Sequence, residues 1–376
     1  MRSSSNTFDV VVLGGGPAGC AAALALASHG VEQTLIVEAS RYDAVRLGES
    51  IPPDTRLLLA ELGIWDDFAA ENHEPCLGSC SSWGSDALGY NDFLCNPLGN
   101  GWHLDRTRFD RFLAHKAEQR GAELRLATKF GGIEQSDDDG FVLRLQSEQW
   151  PPSYVTAKYV VDATGQNAAF ARRAGARKVF LDRLSCAAGV FRLPHDAAFP
   201  RLTMLEAVSD GWWYAARIPN GSVAVALACD AELLRRESLH ERDPWLLRLS
   251  ETQHIAEALA HCGYTDGSLT VRTAPSYLLD RAEGHRWIAI GDAASAYDPI
   301  SSQGIYKALS TALHAAPLIA SFLNGSTRET SDYTAAVARD FDDYRKHRNF
   351  FYDTERRWPE APFWKHRTAA APQWRN

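Results

Sequence analysis

Three glycines and one carboxylate near the N terminus have the types and spacing of a dinucleotide-binding unit. Gly14 permits a tight turn after an apolar strand, Gly16 lets the backbone approach a pyrophosphate, and Gly19 allows the next helix to pack closely on the strand. Glu38 follows a second apolar segment, where a carboxylate accepts the hydroxyls of an adenosine ribose and repels a 2′-phosphate. The turn itself reads Gly14-Gly15-Gly16-Pro17-Ala18-Gly19.

The alternative interpretation is an ordinary glycine-rich turn between a strand and a helix. Strand, glycines, helix, second strand and acid within about thirty residues favour the dinucleotide site. The positive end of the helix dipole and its free N–H groups would then face the phosphates.

Two further turns place acidic residues directly after apolar strands. They are Asp162-Ala163-Thr164-Gly165 and Gly291-Asp292. In a parallel sheet all three strand ends lie at one edge, which is where α/β folds bind ligands. A nicotinamide enzyme needs only the first turn, whereas a flavin needs contacts much farther along the chain. Asp292 either holds such a cofactor or caps the turn that follows it.

The order of predicted strands and helices positions these turns on an α/β fold. A Rossmann-like parallel sheet is followed by three β stretches at 122–128, 131–135 and 141–146, which we predict to form a three-stranded β-meander. Four segments alternate in polarity like antiparallel strands, at 186–193, 204–208, 212–218 and 222–228, and Asn220-Gly221 is a hairpin signal. Residues 70–100 are either a strand pair of a second domain or a loop near the site.

These patterns predict two domains and a tail. The dinucleotide domain is discontinuous, an antiparallel β-sheet substrate domain is inserted into it, and a helical segment ends the chain. The predicted bounds are 1–75, 98–180 and 272–330 for the first domain, 76–97 and 181–271 for the second, and 331–376 for the C-terminal segment.

The composition excludes several classes of protein. The 376 residues are 45% hydrophobic and 23% charged, as in a globular protein with a large core. A net charge of −8 and a pI near 5.9 argue against nucleic acid or an anionic membrane as the main partner. No apolar run reaches membrane-spanning length, and we expect no secretory signal.

The cysteines favour a reducing compartment. There are seven, an odd number in a long chain, which predicts free thiols and a cytoplasmic location. His73, Cys76 and Cys80 form a local cluster, but their spacing is not that of a zinc site. We therefore predict no metal.

Together the three turns resemble the FAD-dependent monooxygenases of the p-hydroxybenzoate hydroxylase type, and the resemblance covers nearly the whole chain. It implies FAD as the cofactor, with Asp292 on a ribitol hydroxyl and NAD(P)H as a transient reductant. The helix that begins near Gln303 would point its N terminus at the flavin and stabilise the reduced, anionic ring. The residues that this resemblance assigns to the cofactor are Arg106, Asp162, Gly165, Gly291, Asp292, Gln303 and Gly304.

Other motifs look most like the subgroup that contains the flavin-dependent halogenases. Halogenases carry a Trp-x-Trp-x-Ile-Pro signature, which residues 212–219 match only in part, and an essential lysine where this chain has Cys76. Halogenation is therefore disfavoured. The first shared motif, Arg46-x-Gly48-Glu49-Ser50-x-Pro52-Pro53, adds Arg46 and Ser50 to the cofactor-binding candidates.

Non-halogenating members of this subgroup mature quinone-cofactor oxidases, such as glycine oxidase and lysine oxidase, by hydroxylating a tryptophan of the partner polypeptide. The sequence from Glu355 to Arg367 resembles the tail of those maturases. This tail either docks a partner or packs over the domain junction. The resemblance implies an O₂-dependent hydroxylation of a tryptophan side chain in a precursor protein during biogenesis of a cysteine tryptophylquinone.

Glu49, Trp212 and Trp213 are the catalytic candidates. Glu49 belongs to the loop expected beside the flavin, where it is either a functional carboxylate or a brace for that loop. The two indoles would hold an aromatic ring and exclude water. Because strand side chains alternate, only one indole can face the site, and simple core packing is the alternative for both.

Other functions stay open at this stage. One is a monooxygenase of a small aromatic metabolite, and another is a flavin reductase that acts on an alkene. A third is an FAD-carrying assembly factor that binds a precursor protein without turnover.

Overall fold

A computed structural model describes residues 6–43, 46–265, 267–325 and 332–368. No helix in these ranges combines the length and apolar character needed to cross a membrane. The helices are α1 (Pro17–Ser28), α2 (Thr55–Glu61), α3 (Trp65–Ala70), α4 (Arg106–Gln119), α5 (Ala169–Arg173), α6 (Ala231–Arg236), α7 (Arg242–Ser250), α8 (His254–Ala258), α9 (Gly304–Leu323), α10 (Tyr333–Thr354) and α11 (Pro362–Thr368).

The strands form two large sheets and two small ones. They are β1 (Thr7–Leu13), β2 (Thr34–Val37), β3 (Ser50–Ile51), β4 (Glu74–Cys76), β5 (Gly78–Ser82), β6 (Leu88–Asp92), β7 (Gly101–His103), β8 (Glu123–Arg125), β9 (Thr128–Asp137), β10 (Gly140–Ser147), β11 (Ser153–Asp162), β12 (Lys178–Phe180), β13 (Leu184–Arg192), β14 (Thr203–Val208), β15 (Gly211–Ile218), β16 (Ser222–Asp230), β17 (Gly263–Tyr264), β18 (Thr270–Thr273), β19 (Tyr277–Leu279), β20 (Glu283–Gly284), β21 (Trp287–Ala289) and β22 (Ser295–Ala296).

The first large sheet has the strand order β20-β21-β11-β1-β2-β8. Its five strands from β21 to β8 are parallel, and β20 is an antiparallel edge. Leu13 pairs with Asp162, and Asp162 with Ala289, so the three predicted turns leave the same edge of the sheet. The strands share one hydrophobic core with the alanine-rich α1, and α9 packs against α1.

The predicted meander is present, but its strands differ from those predicted. It consists of β9, β10 and the first half of β11, which pair antiparallel. The stretch at 122–128 was expected in the meander, yet β8 pairs parallel to β2, with Glu123 opposite Leu35. The reason is that β8 follows helix α4 and so returns to the sheet as a crossover strand.

The second large sheet has the strand order β17-β13-β16-β15-β14-β5-β6, with β18 also paired to β13. Its core strands pair antiparallel, and β15 and β16 are joined by the loop 219–221, which contains the predicted Asn220-Gly221 signal. The pair β5–β6 settles the open question about residues 70–100 in favour of strands.

The two faces of the second sheet are covered differently. One face packs on α6, α7 and α8 around Trp213 and Trp245. The other packs on the C-terminal helices through Tyr352, Phe363 and Trp364. Trp364 is fully buried and its Nε1 donates to the Val208 carbonyl at 2.9 Å. The tail therefore packs on the second sheet.

Candidate functional site

A cavity of about 930 Å³ lies between the C-terminal edge of the parallel sheet and the second sheet. It runs from the glycine turn to a wall that contains Trp212 and Tyr214. Gly19, Asp162, Gly291 and Trp213 do not line it. The predicted site residues that do are Gly14, Gly16, Pro17, Ala18, Glu38, Arg46, Glu49, Ser50, Arg106, Gly165, Trp212, Asp292, Gln303 and Gly304.

The glycine turn has the shape that a pyrophosphate requires. Gly14 has φ +105°, and a Cβ atom there would lie 2.2 Å from the Ala163 carbonyl oxygen. A Cβ on Gly19 would lie 1.9 Å from the Gly14 oxygen, so only glycine fits where α1 packs behind the turn. Gly16 faces open space, because a Cβ there would meet nothing closer than Arg46 Nη1 at 3.9 Å. The turn therefore leaves room for phosphates at Gly16.

Glu38 is held at the far end of the cavity by hydrogen bonds to both carboxylate oxygens. Its Oε2 accepts from the Gly15 N–H at 2.7 Å, and its Oε1 accepts from the Ser40 N–H at 2.8 Å and from Arg46 Nη2 at 3.2 Å. Burial disfavours the charged form, but the Ser40 and Gly15 hydrogen bonds and the Arg46 charge outweigh it, so the pKa of Glu38 is lowered. A carboxylate fixed in this way suits a ribose.

Arg46 and Arg106 share a buried partner that the sequence reading missed. Asp110 of α4 is fully buried and accepts from Arg46 Nη1 at 3.0 Å and from Arg106 Nη2 at 3.2 Å. Arg106 also donates to the Leu47 carbonyl at 2.7 Å, which ties α4 to the loop before Glu49. The spacing of four residues between Arg106 and Asp110 was the available signal.

Asp162 does not contact the cavity, contrary to the prediction. Its carboxylate accepts from the Thr164, Phe170 and Ala171 N–H groups at 3.0, 2.9 and 2.8 Å. The free N–H groups at the start of α5 attract this side chain away from the cavity. Asp162 therefore shapes the turn, and Gly165 is the member of the predicted pair that lines the cavity.

Asp292 faces the cavity and forms an ion pair with a buried lysine. Lys307 Nζ lies 2.9 Å from Asp292 Oδ1, and the side chains of Lys307 and Asp292 are 5% and 39% exposed. Burial lowers the pKa of Lys307, and the Asp292 charge opposes that shift. The sequence reading did not single out Lys307. Gly291 packs so closely against α1 that a Cβ there would lie 2.9 Å from Ala18 Cβ.

The N terminus of α9 lines the cavity through Gln303 and Gly304. A Cβ atom on Gly304 would meet no atom within 4 Å, so a ring can approach the backbone there. The helix continues for 20 residues. Its dipole therefore places partial positive charge at this part of the cavity.

Glu49 lies beside Tyr214 at the other end of the cavity. It is buried, which raises the pKa of its carboxyl, while the Arg106 charge and a hydrogen bond with Tyr214 oppose the shift. A carboxyl whose pKa is raised holds a proton more firmly than an exposed glutamate does, which suits a group that accepts a proton. Ser50 Oγ lies 2.9 Å from the Tyr214 hydroxyl and so braces the same wall.

The bracing continues into the protein interior. Thr203 Oγ1 lies 3.2 Å from Ser50 Oγ and 2.9 Å from Nε2 of the buried His103. Burial lowers the pKa of His103 to about 4, so this imidazole is neutral at pH 7. Thr203 carried no signal in the sequence, because it reaches Ser50 only through the packing of the second sheet on β3 and β7.

The two neighbouring tryptophans point to opposite faces of β15. Trp212 lines the cavity, and its Nε1 donates to the Tyr352 hydroxyl at 3.2 Å. Trp213 is fully buried on the other face, where its ring centre lies 5.1 Å from that of Trp245. The assignment of Trp213 to the catalytic site is therefore wrong, and the physical reason is the two-residue period of a strand.

The predicted cysteine and histidine cluster has an ordinary packing role. The His73 ring stacks on Phe68 with centres 5.1 Å apart, and Cys76 Sγ donates to the Gly78 carbonyl at 3.2 Å. Within the described ranges, no three His, Cys, Asp or Glu side chains are grouped so that they could hold a metal ion. All seven cysteines are free thiols.

Comparison with known proteins agrees with this geometry. The family model described as FAD binding domain matches residues 7–336. Among curated proteins, "Putative FAD-dependent oxidoreductase LodB" of Marinomonas mediterranea is 31% identical over 96% of this chain and 97% of its own length. The flavin-dependent halogenase armH3 of Armillaria mellea is 28% identical over 85% of this chain and 69% of its own length.

Solved structures share the fold. The flavin-dependent halogenase CmlS superposes with a TM-score of 0.85 at 24% identity, over 99% of this chain and 69% of its own. The peptidyl tryptophan dihydroxylase QhpG, which is essential for tryptophylquinone cofactor biogenesis, superposes with a TM-score of 0.77 at 24% identity, over 96% of this chain and 78% of its own.

Proposed function

The chain belongs to the FAD-binding domain family and is an FAD-dependent oxidoreductase, and from this premise we propose that it hydroxylates an aromatic ring, a tryptophan side chain of a partner polypeptide. The observation that carries the proposal is the cavity that joins the glycine turn to the wall of Trp212 and Tyr214 beside the buried Glu49.

The residues on the parallel-sheet side fit FAD. Glu38 would accept the ribose hydroxyls, the N–H groups at Gly16 and the start of α1 would bind the pyrophosphate, and Asp292 would accept a ribitol hydroxyl. The N terminus of α9 offers partial positive charge to the isoalloxazine ring. When bound and reduced by NAD(P)H, a flavin activates O₂ so that one oxygen atom can be transferred to an electron-rich ring.

The residues on the second sheet position the ring and exclude water. Trp212 and Tyr214 supply flat apolar faces, while Ala224, Ala226 and Ala228 leave the space that a bulky ring needs. Glu49 accepts the proton that the ring carbon loses when aromaticity returns after oxygen insertion. Its burial and its raised pKa suit this role, because the carboxylate then holds the proton more firmly than an exposed glutamate would.

Two arguments favour a polypeptide tryptophan as the substrate. The Glu355–Arg367 tail resembles that of the maturases of quinone-cofactor oxidases, and QhpG, which shares the fold, is a peptidyl tryptophan dihydroxylase. Halogenation is less well supported. The position where the resemblance expects a lysine is Cys76, which is buried and does not line the cavity.

The test is oxygen incorporation by the purified, FAD-loaded protein with NADH or NADPH and isotope-labelled O₂. The probes are the precursor polypeptide of a cysteine tryptophylquinone oxidase, N-acetyltryptophanamide and simple phenols, each with and without bromide. Labelled oxygen on a precursor tryptophan, located by peptide mass spectrometry, supports the proposal. Labelled small aromatics with an unmodified precursor, a brominated product, or NAD(P)H oxidation without any oxygenated product would each overturn it.

A matched control separates chemistry from assembly. Gly16→Val places a side chain in the phosphate space, where its Cβ would meet no protein atom closer than Arg46 Nη1 at 3.9 Å. If this variant, freed of bound FAD, still binds the precursor but leaves it unmodified, FAD is required for turnover and not for precursor binding. If the precursor is matured equally well by the variant, the chain is an assembly factor and not a hydroxylase.

A further inference from the structure

Helix α10 contributes a buried tyrosine to a series of hydrogen bonds that reaches the cavity wall. Trp212 Nε1 donates to the Tyr352 hydroxyl at 3.2 Å, and the Tyr352 hydroxyl donates to Asp298 Oδ2 at 2.8 Å. Trp212 and Asp298 both line the cavity, one on the second sheet and the other on the loop before α9. Tyr352 is thus the link between two walls that come from distant parts of the chain.

The direction of these hydrogen bonds is fixed by chemistry. An indole N–H can only donate, and the Asp298 carboxylate can only accept. The Tyr352 hydroxyl has one proton, so it must accept from Trp212 and donate to Asp298. Trp212 is 2% exposed and Tyr352 and Asp298 are fully buried, so both hydrogen bonds are shielded from bulk solvent.

Charged neighbours hold Tyr352 in this place. The Arg348 guanidinium lies 4.5 Å from the centre of the Tyr352 ring, forms an ion pair with Asp182 and has its Nε 3.5 Å from Asp298 Oδ2. Asp298 Oδ1 also accepts from the Ile300 N–H at 3.0 Å, which shapes the cavity loop. The buried charges are therefore balanced only when α10 is docked.

The segment that supplies Tyr352 lies beyond the residues that the family model matches. The family model ends at residue 336, whereas Arg348, Tyr352 and the helix α11 that covers them follow it. The dinucleotide fold alone does not fix the Trp212 indole. We propose that Tyr352 is a positioning residue, which sets the orientation of the Trp212 indole and thereby the placement of the aromatic substrate. Only the second half of this inference rests on the proposed function.

The orientation is tested without any substrate. The holoprotein is labelled with isotopic tryptophan, and the Trp212 indole resonance among the 11 tryptophans is assigned from Trp212→Phe. In Tyr352→Phe the Trp212 indole N–H loses its acceptor, so we expect its exchange with solvent to become about tenfold faster and its resonance to shift. The matched control is Tyr333→Phe, which removes a buried hydroxyl of the same helix that donates to the Ala289 carbonyl at 2.9 Å.

Substrate placement is tested with N-acetyltryptophanamide as the probe. We expect Tyr352→Phe to bind FAD as the parent protein does but to form several-fold less oxygenated product per NAD(P)H consumed, while Tyr333→Phe keeps the parent ratio. An unchanged Trp212 resonance and exchange rate in Tyr352→Phe, or equal changes in the two variants, would overturn the positioning role. If neither the parent protein nor any variant oxygenates the probe or a precursor, the proposed function fails. The Trp212 indole resonance still decides whether Tyr352 orients Trp212.

Discussion

Replacing Asp292 with asparagine is expected to destabilise the protein because it removes the counter-charge of a buried ammonium group. Lys307 is 5% exposed and its Nζ lies 2.9 Å from Asp292 Oδ1. Breaking a buried ion pair on one side costs about 3–5 kcal/mol. Asp292 is 39% exposed, so solvent screens part of the interaction, and we expect a loss of about 2 kcal/mol.

This loss translates into a measurable shift of the melting temperature. An unfolding entropy of about 2.1 cal/mol/K per residue gives about 0.8 kcal/mol/K for 376 residues, so Tm should fall by about 2–3 °C. The measurement uses flavin-free protein, because bound FAD would add its own stabilisation by mass action. FAD titration of the same variant then reports the loss of the ribitol contact separately.

The pH dependence gives an independent signature of Lys307. Burial lowers the pKa of Lys307 in the folded protein, and loss of Asp292 lowers it further, whereas the unfolded chain keeps a pKa of about 10.4. Between these two pKa values the unfolded state binds more protons, so the stability of Asp292→Asn should rise with pH in this window. The gain ends once the pH passes the unfolded value.

The double variant Asp292→Asn/Lys307→Met decides the cause. Methionine removes the buried charge at similar volume, so the double variant should recover about 2 kcal/mol relative to Asp292→Asn and should lose the rise with pH. If asparagine costs the same in the Lys307→Met background as in the parent, the two residues are not coupled and the reasoning fails.

Three further predictions concern the same cavity. Gly16→Val should weaken FAD binding at least about tenfold and leave the Tm of the flavin-free protein unchanged, because the Cβ at Gly16 faces open space. Gly19→Ala should lower the flavin-free Tm, because its Cβ meets the Gly14 oxygen. Equal effects of the two variants on FAD binding and on Tm would contradict this. Glu49→Gln should slow product formation about a hundredfold. It should also abolish the rise of the rate with pH that a glutamate of raised pKa produces, which a pH–rate profile measures. An unchanged profile excludes Glu49 as the base. Trp213→Phe should lower the free energy of unfolding by about 1–3 kcal/mol and leave KM for N-acetyltryptophanamide unchanged. Trp212→Phe should raise that KM. An increase of KM in both variants would return Trp213 to the site.

The sequence determined the parts of this protein that depend on local pattern. The glycine turn, the acid after the second strand and the acidic turns after β11 and β21 are each defined within a few residues. Because parallel strands end at one edge, their meeting at a single cavity followed from the pattern alone. The same holds for the strand character of residues 186–228, since polarity alternates along them.

Only the tertiary structure decided which side chains complete the site. Local pattern shows that Trp212 and Trp213 face opposite ways, but the packing of the second sheet decides which of them meets the cavity. The Asp162 carboxylate instead accepts from the Phe170 and Ala171 N–H groups at the start of α5. Tyr352 meets Trp212 across 140 residues of chain, a contact that no local spacing encodes. Contacts of this kind depend on how distant elements pack against one another, and the whole hydrophobic core determines that packing.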